Sequence, residues 1–222
     1  MPLRPDVRTL DQSSQSRRLL IATTNPHKVA EFRALLATAP YTIVDPGELG
    51  LDLEVAEPGD TFAENAAIKA LAWAGAAHLL ALADDSGLEI DAFDGWPGIA
   101  SARWIGPEVG YVERCQIILR RMAGLPAAQR TARYRCAIAV ARREQVLIAV
   151  EGAVEGQIVA APRGSGGFGY DPIFEPLGAD LTFGEMGEMP GAAKQQISHR
   201  ARAVAAALPA LRALSAPARG SR

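Results

Sequence analysis

RRLLIATTNPHKVAEFRALLATA, residues 17–39, changes its hydrophobic period partway along, and that change decides how the fold is read. Leu19, Leu20, Ile21 and Ala22 make a short unbroken apolar run that ends in Thr23, Thr24 and Asn25, the pattern of a buried strand. Beyond Pro26, the residues Val29, Phe32, Leu35 and Leu36 recur at helical spacing. Asn25 is placed to cap that helix, and Pro26 to open it where a missing N–H costs nothing. Strand, turn and helix follow one another without a linker.

Working outward, YTIVDPGELG (41–50) reads as a second short strand with a turn, and DTFAENAAIKALAWAGAAHLL (60–80) as a long Ala-rich helix. Thr61 and Glu64 stand at capping-box spacing at its start. ALADDSGLEIDAF (81–93) returns to strand character, and YVERCQIILRRMAG (111–124) is helical by period. ARYRCAIAVARREQVLIAVEGAVEGQIVAA (132–161) reads as consecutive strands, the first two joined as a hairpin at 142–145. A glycine-dense loop follows, and SHRARAVAAALPALRAL (198–214) closes the pattern as a helix. Helices alternating with strands, then a meander, predict an α/β fold on a mixed central sheet with flanking helices. One domain over residues 17–214 is expected, with a polar, disordered extension over 1–16 and a disordered tail over 215–222.

The charge balance of 23 basic against 25 acidic side chains excludes a protein that coats duplex nucleic acid by neutralising phosphates. Cys115 and Cys136 are too few for a disulfide framework and lie in no metal-ligand spacing, so both are expected in the core. No apolar run reaches the roughly 18 residues of a membrane span. Residues 1–16 lack the apolar core of a secretory signal, and a cytoplasmic location is expected.

Two adjacent carboxylates, Asp84 and Asp85, end the apolar run LLALA. Successive strand residues point to opposite faces, so the pair can serve one site if the strand ends there and Ser86-Gly87 turns the chain. Crowded carboxylates need a compensating cation, and Mg²⁺ is a fitting one, held by one or two carboxylates together with substrate phosphates. At the junction TTNPHK (23–28), the helix N-terminus and Lys28 make a natural seat for phosphate, although the GxxxxGK[ST] loop is absent. Asn65 and Lys69, four apart, share a helix face, while Glu57 has no helical or strand role and is free for metal or solvent. In GSGGFGYDP (164–172), glycines around Phe168 and Tyr170 allow close approach to a ligand and a stacking platform. Ser198, His199 and Arg200 precede the last helix, with Lys194 upstream.

IATTNPHKVAEF, EPGDTFAENAAIKA, ADDSGLEIDAFDGWPGIASARW, GSGGFGYDPIF and KQQISHRARA resemble, in the family's order, the motifs of the inosine/xanthosine triphosphate pyrophosphatases. The resemblance covers residues 20–202. It implies two lobes around a deep cleft, a homodimer, dependence on Mg²⁺, and cleavage of a non-standard purine nucleoside triphosphate to the monophosphate and pyrophosphate. Carried over residue by residue, Thr23, Thr24, Asn25, Pro26, His27 and Lys28 would hold phosphate with help from Lys69. Glu57 and Asp85, joined by Asp84, would hold the metal, and Asp85 would accept the proton. Ser86 would touch substrate, and Phe168, Gly169, Tyr170, Asp171, Lys194, His199 and Arg200 would enclose the base. His27 stands where the family usually has Gly, and Ala56-Glu57 retains one carboxylate of an acidic pair. The competing readings are a pyrophosphatase for other modified or pyrimidine nucleotides and a non-catalytic nucleotide-binding regulator. No nucleic-acid or membrane partner is expected.

Overall fold

The computed structural model describes residues 17–106, 108–190 and 193–216; the extension expected over 1–16 and the end of the tail lie outside them. Its sheet has six strands, β1 (Arg18–Ile21), β2 (Thr42–Val44), β3 (Leu80–Ile90), β4 (Thr131–Arg142), β5 (Gln145–Ile158) and β6 (Phe174–Pro176). They lie in the order β2-β1-β3-β4-β5-β6, with β1 parallel to β2 and β3 and the remaining pairs antiparallel. The helices are α1 (Pro26–Leu35), α2 (Phe62–Ala77), α3 (Tyr111–Arg121), α4 (Phe183–Glu188), α5 (Ala193–Ile197) and α6 (His199–Ser215). The mixed sheet, the hairpin and the capping of α1 and α2 are as the sequence predicts. Asn25 accepts from the N–H groups of His27 and Lys28, and Thr61 and Glu64 form a reciprocal capping box. Ser215, assigned above to the tail, is the last residue of α6 instead.

Alternation along β3 sorts the core. Leu80 and Leu82 pack with Phe32 of α1 and with Ala203, Val204 and Leu211 of α6. Ala81 and Ala83 pack on the other face against Ala66, Ala70 and Ala74 of α2, where small side chains on both partners let helix and sheet approach closely. Further along the first face, Leu88 and Ile90 join Tyr134, Phe174 and Phe183 in another core with Ile118 of α3. Asp84 and Ser86 interrupt that face between its two cores.

The strand does not end at the carboxylates, which corrects the expectation of a turn at Ser86-Gly87. All eleven residues of β3 pair with β4 in unbroken register, Asp84 opposite Ile138 and Asp85 opposite Ala137. The two carboxylates therefore leave the sheet on opposite faces. What joins them in one site is the short reach of β1, which pairs only with Leu80–Leu82 of β3. Its last bond to that strand runs from Ala22 N–H to the Leu82 carbonyl at 2.7 Å. Beyond it β3 has an open edge, and a cleft wraps around that edge from one face to the other. Such a crevice at the carboxyl ends of parallel strands is where α/β sheets commonly take ligands.

Candidate active site

The cleft encloses about 330 Å³ and receives side chains from β3, α1, α2, α6 and the glycine-rich loop. On the α6 face, Asp84 is buried between two cations: Lys28 Nζ lies 3.0 Å and Arg200 NH2 3.2 Å from its Oδ2. Ser86 donates its hydroxyl to the same carboxylate and accepts from Arg200 NH2 at 3.2 Å. Burial alone would raise the pKa of Asp84, but Lys28, Arg200 and Lys69 hold it far below the usual carboxylate range. Asp84 is a fixed anion.

Asp85, on the α2 face, meets a different set. Lys69 Nζ stands 3.3 Å from Oδ1, and Asn65 donates to Oδ2 at 3.3 Å. The shared helix face read from the spacing of Asn65 and Lys69 is thus a shared partner. Burial raises the pKa of Asp85; Lys69 opposes this and the Glu57 charge reinforces it, leaving the group above the ordinary aspartate value. Glu57 reaches the same ammonium from an irregular segment, 2.6 Å from Lys69 Nζ, and its other oxygen takes Arg103 at 3.0 Å. Burial pulls the pKa of Lys69 down, but Asp85, Asp84 and Glu57 together hold it above that of a free lysine.

Lys194, also in the cleft lining, is buried between Asp171 at 2.6 Å and Glu31 at 2.8 Å. Glu31 also pairs with Arg200, so an unbroken chain of charges runs from buried Lys194 through Glu31, Arg200 and Asp84 to half-buried Lys28. Asp171 accepts from the Phe168 N–H at 2.8 Å, which ties Lys194 to the glycine-rich loop. Lys194 Nζ and the Arg200 guanidinium stand 4.9 and 5.6 Å from the centre of the Phe168 ring. His199 lies flat on Tyr134, 4.6 Å between ring centres, and burial with Arg200 and Lys194 nearby holds it neutral well below the usual histidine range. Its Nδ1 and the Nε of Arg200 are buried without a hydrogen-bond partner. Both atoms belong to residues that line the cleft, where a buried polar atom without a partner calls for one.

The residues singled out from the sequence line this cleft except Pro26, His27, Asn65 and Ser198; Asn65 supports Asp85 from behind, and Ser198 caps α6. Tyr170 is there as a wall rather than a platform: its hydroxyl donates to the Ser101 carbonyl at 2.6 Å and accepts from Trp104 Nε1 at 2.7 Å. Sequence reasoning missed Glu31 and Arg103. Glu31 follows Lys28 by one helical turn and borders Phe32 of the buried face, a position that also suits a solvated charge.

A Ham1 family model matches residues 19–210. The dITP/XTP pyrophosphatase of Bacillus subtilis (strain 168) is 44% identical over 188 residues, covering 85% of this chain and 93% of that protein. The chain belongs to the Ham1 family. A second relative, the dITP/XTP pyrophosphatase of Symbiobacterium thermophilum, is 48% identical over 205 residues, 89% of this chain and 96% of its own length. Solved Ham1 structures share the fold. The Ham1 protein of Staphylococcus aureus superposes with a TM-score of 0.76 at 33% identity, covering 88% of this chain and 98% of that one. The HAM1 protein of Coxiella burnetii gives 0.77 at 35% identity over 87% and 98%. The six-stranded mixed sheet described above is therefore the Ham1 sheet.

Among the described residues no three His, Cys, Asp or Glu side chains group as a metal cluster. Glu57 and Asp85 nevertheless already share one cation, the Lys69 ammonium. Two carboxylates converging on a positive charge fit a hard divalent ion that completes its shell with water and phosphate oxygens. Asp84 does not converge with them, being turned to Lys28 and Arg200 on the other face.

Proposed function

We propose that this protein hydrolyses non-standard purine nucleoside triphosphates, ITP, dITP and XTP, to the nucleoside monophosphate and pyrophosphate, with Mg²⁺ as cofactor. The observation that carries the reading is that one cleft gathers three kinds of group. A capped helix N-terminus with Lys28, two carboxylates that share Lys69, and Phe168 with Lys194 and Arg200 against its ring all line it or border it. Triphosphate, reacting centre and base each have a counterpart there. The names of the relatives point the same way.

In the free enzyme Lys28 and Lys69 rest on Asp84, Asp85 and Glu57. When phosphates enter, these ammonium groups turn part of their charge to them, and the positive end of the α1 dipole favours the same anion. Mg²⁺, bound by Glu57 and Asp85, would neutralise phosphate charge and make a water more acidic. Asp85 accepts the proton of the water that attacks phosphorus in line as the bond to the bridging oxygen between the α and β phosphates breaks. Asp85, which meets one cation where Asp84 is held between two, is the freer of the pair to take a proton. Asp84 keeps Arg200 and Lys28 in place.

Base choice follows from the unpaired atoms. Hypoxanthine and xanthine carry an acceptor oxygen at C6, where adenine carries an amino donor. The Arg200 Nε–H is a donor without an acceptor, and it suits the first and is wasted on the second. Sites built on hydrogen bonds reject such mismatches by up to about 10⁴-fold or more. The test is pyrophosphate release with Mg²⁺ across ITP, dITP, XTP, ATP, GTP and dUTP. We expect kcat/KM for the first three to exceed that for ATP by at least about a hundredfold; similar values for ITP and ATP overturn the reading. A homodimer belongs to the same proposal, and sedimentation velocity tests it.

A further inference from the structure

His27 is exposed at the start of α1 and lies outside the cleft lining that Asn25 and Lys28 join. The ring lies against Phe168, with centres 5.3 Å apart and planes 15° from parallel. Its backbone is held separately, by the bond from His27 N–H to Asn25 Oδ1 at 2.9 Å. Phe168 in turn sits between Gly167 and Gly169, whose φ of 74° and 72° let the loop present the ring. Two elements far apart in sequence therefore touch through a pair of aromatic rings that no core requires.

A single stacking separation, which the two rings occupy now, cannot admit a purine; a base on that face of Phe168 requires His27 to move outward. We propose that His27 is the second wall of the base subsite: it parts from Phe168 to admit the purine and stacks on the outer face of the base. The inference rests on the reading of Phe168 as the base platform. It takes His27 away from phosphate, the role implied by its place in the TTNPHK motif, and gives it an affinity role instead. Stacking works on any purine, so His27 would tighten binding without choosing among bases.

Isothermal titration with IMP and steady-state kinetics on ITP and ATP, applied to the wild type, His27→Ala and His27→Phe, test this. His27→Ala is expected to raise the Kd for IMP and the KM for ITP about tenfold, with the loss falling on these rather than on kcat. The ratio of kcat/KM for ITP over ATP should hold, and His27→Phe should restore most of the affinity. Wild-type Kd and KM in His27→Ala, or no rescue by phenylalanine, overturn the inference and leave the proposed function standing. A wild type that neither binds IMP nor releases pyrophosphate from ITP instead removes the base subsite, and the inference falls with it.

Discussion

Glu31 shows how one unremarked side chain can hold a site together. It bridges Lys194 and Arg200, partners 163 and 169 residues away in sequence, and that distance is why nothing near VAEF announces it. Asp84, Asp85 and Lys69 were legible because their types and spacings are unusual in themselves; Glu31 is ordinary until the chain folds. Removing it leaves two buried cations short of a counterion, so Glu31→Ala should cost about 3–5 kcal/mol in urea unfolding. Its pH dependence has a definite sign. Burial raises its pKa, but Arg200 and Lys194 outweigh that and hold it below the ordinary glutamate value. A lowered folded-state pKa gives stability that is present above the unfolded value, about 4.3, and is lost as pH falls through the folded one. Glu31→Gln should therefore flatten the acid side of the stability curve, measured as urea midpoints from about pH 6 downward. At the reacting centre, Asp85→Asn should reduce kcat by about a thousandfold or more while IMP still binds, as expected of a lost general base. Near-normal turnover would exclude Asp85 from that role.

At the scale of elements, the geometry of the site depends on how closely α6 lies on β5. A Cβ on Gly152 would overlap the His199 carbonyl and the Ala203 amide, so only glycine lets the helix settle there. Gly152→Ala should cost about 1–3 kcal/mol. Because α6 carries His199 and Arg200 in its first turn, the same change should lower kcat/KM for ITP more than a loss of stability alone explains. Comparing activity with the folded fraction at each urea concentration separates the two effects. The long elements were readable from period and caps. The short helices α4 and α5 in FGEMGEMPGAAKQQI (183–197) were not, because six and five residues are too few to show a helical period. The expected turn after Asp85 failed for another reason: Ser and Gly favour turns, but unbroken pairing with β4 keeps them in the strand.

For the molecule as a whole, the cleft is made by what the sheet lacks, the missing continuation of β1 beside β3. Sequence showed the α/β class and the order of motifs, but not that a strand could run straight through its own active site. A cleft whose carboxylates already bind cations predicts a specific response to chelation. EDTA should abolish pyrophosphate release, added Mg²⁺ should restore it, and the far-ultraviolet circular dichroism should stay unchanged, since Lys69 remains between Glu57 and Asp85. Loss of the helical signal with EDTA would mean the ion is structural.

The straight passage of β3 also bears on how the chain avoids misfolding. Side chains alternate along a strand, so a slip of one residue against β4 would exchange the faces of all eleven residues of β3 at once. Asp84 would then face the alanines of α2 and Asp85 the leucine and valine side chains under α6, each carboxylate parted from its cations. The adjacent aspartates thus act as a check on alignment during folding: only one pairing of these strands leaves neither charge stranded, and that pairing is the one that builds the cleft.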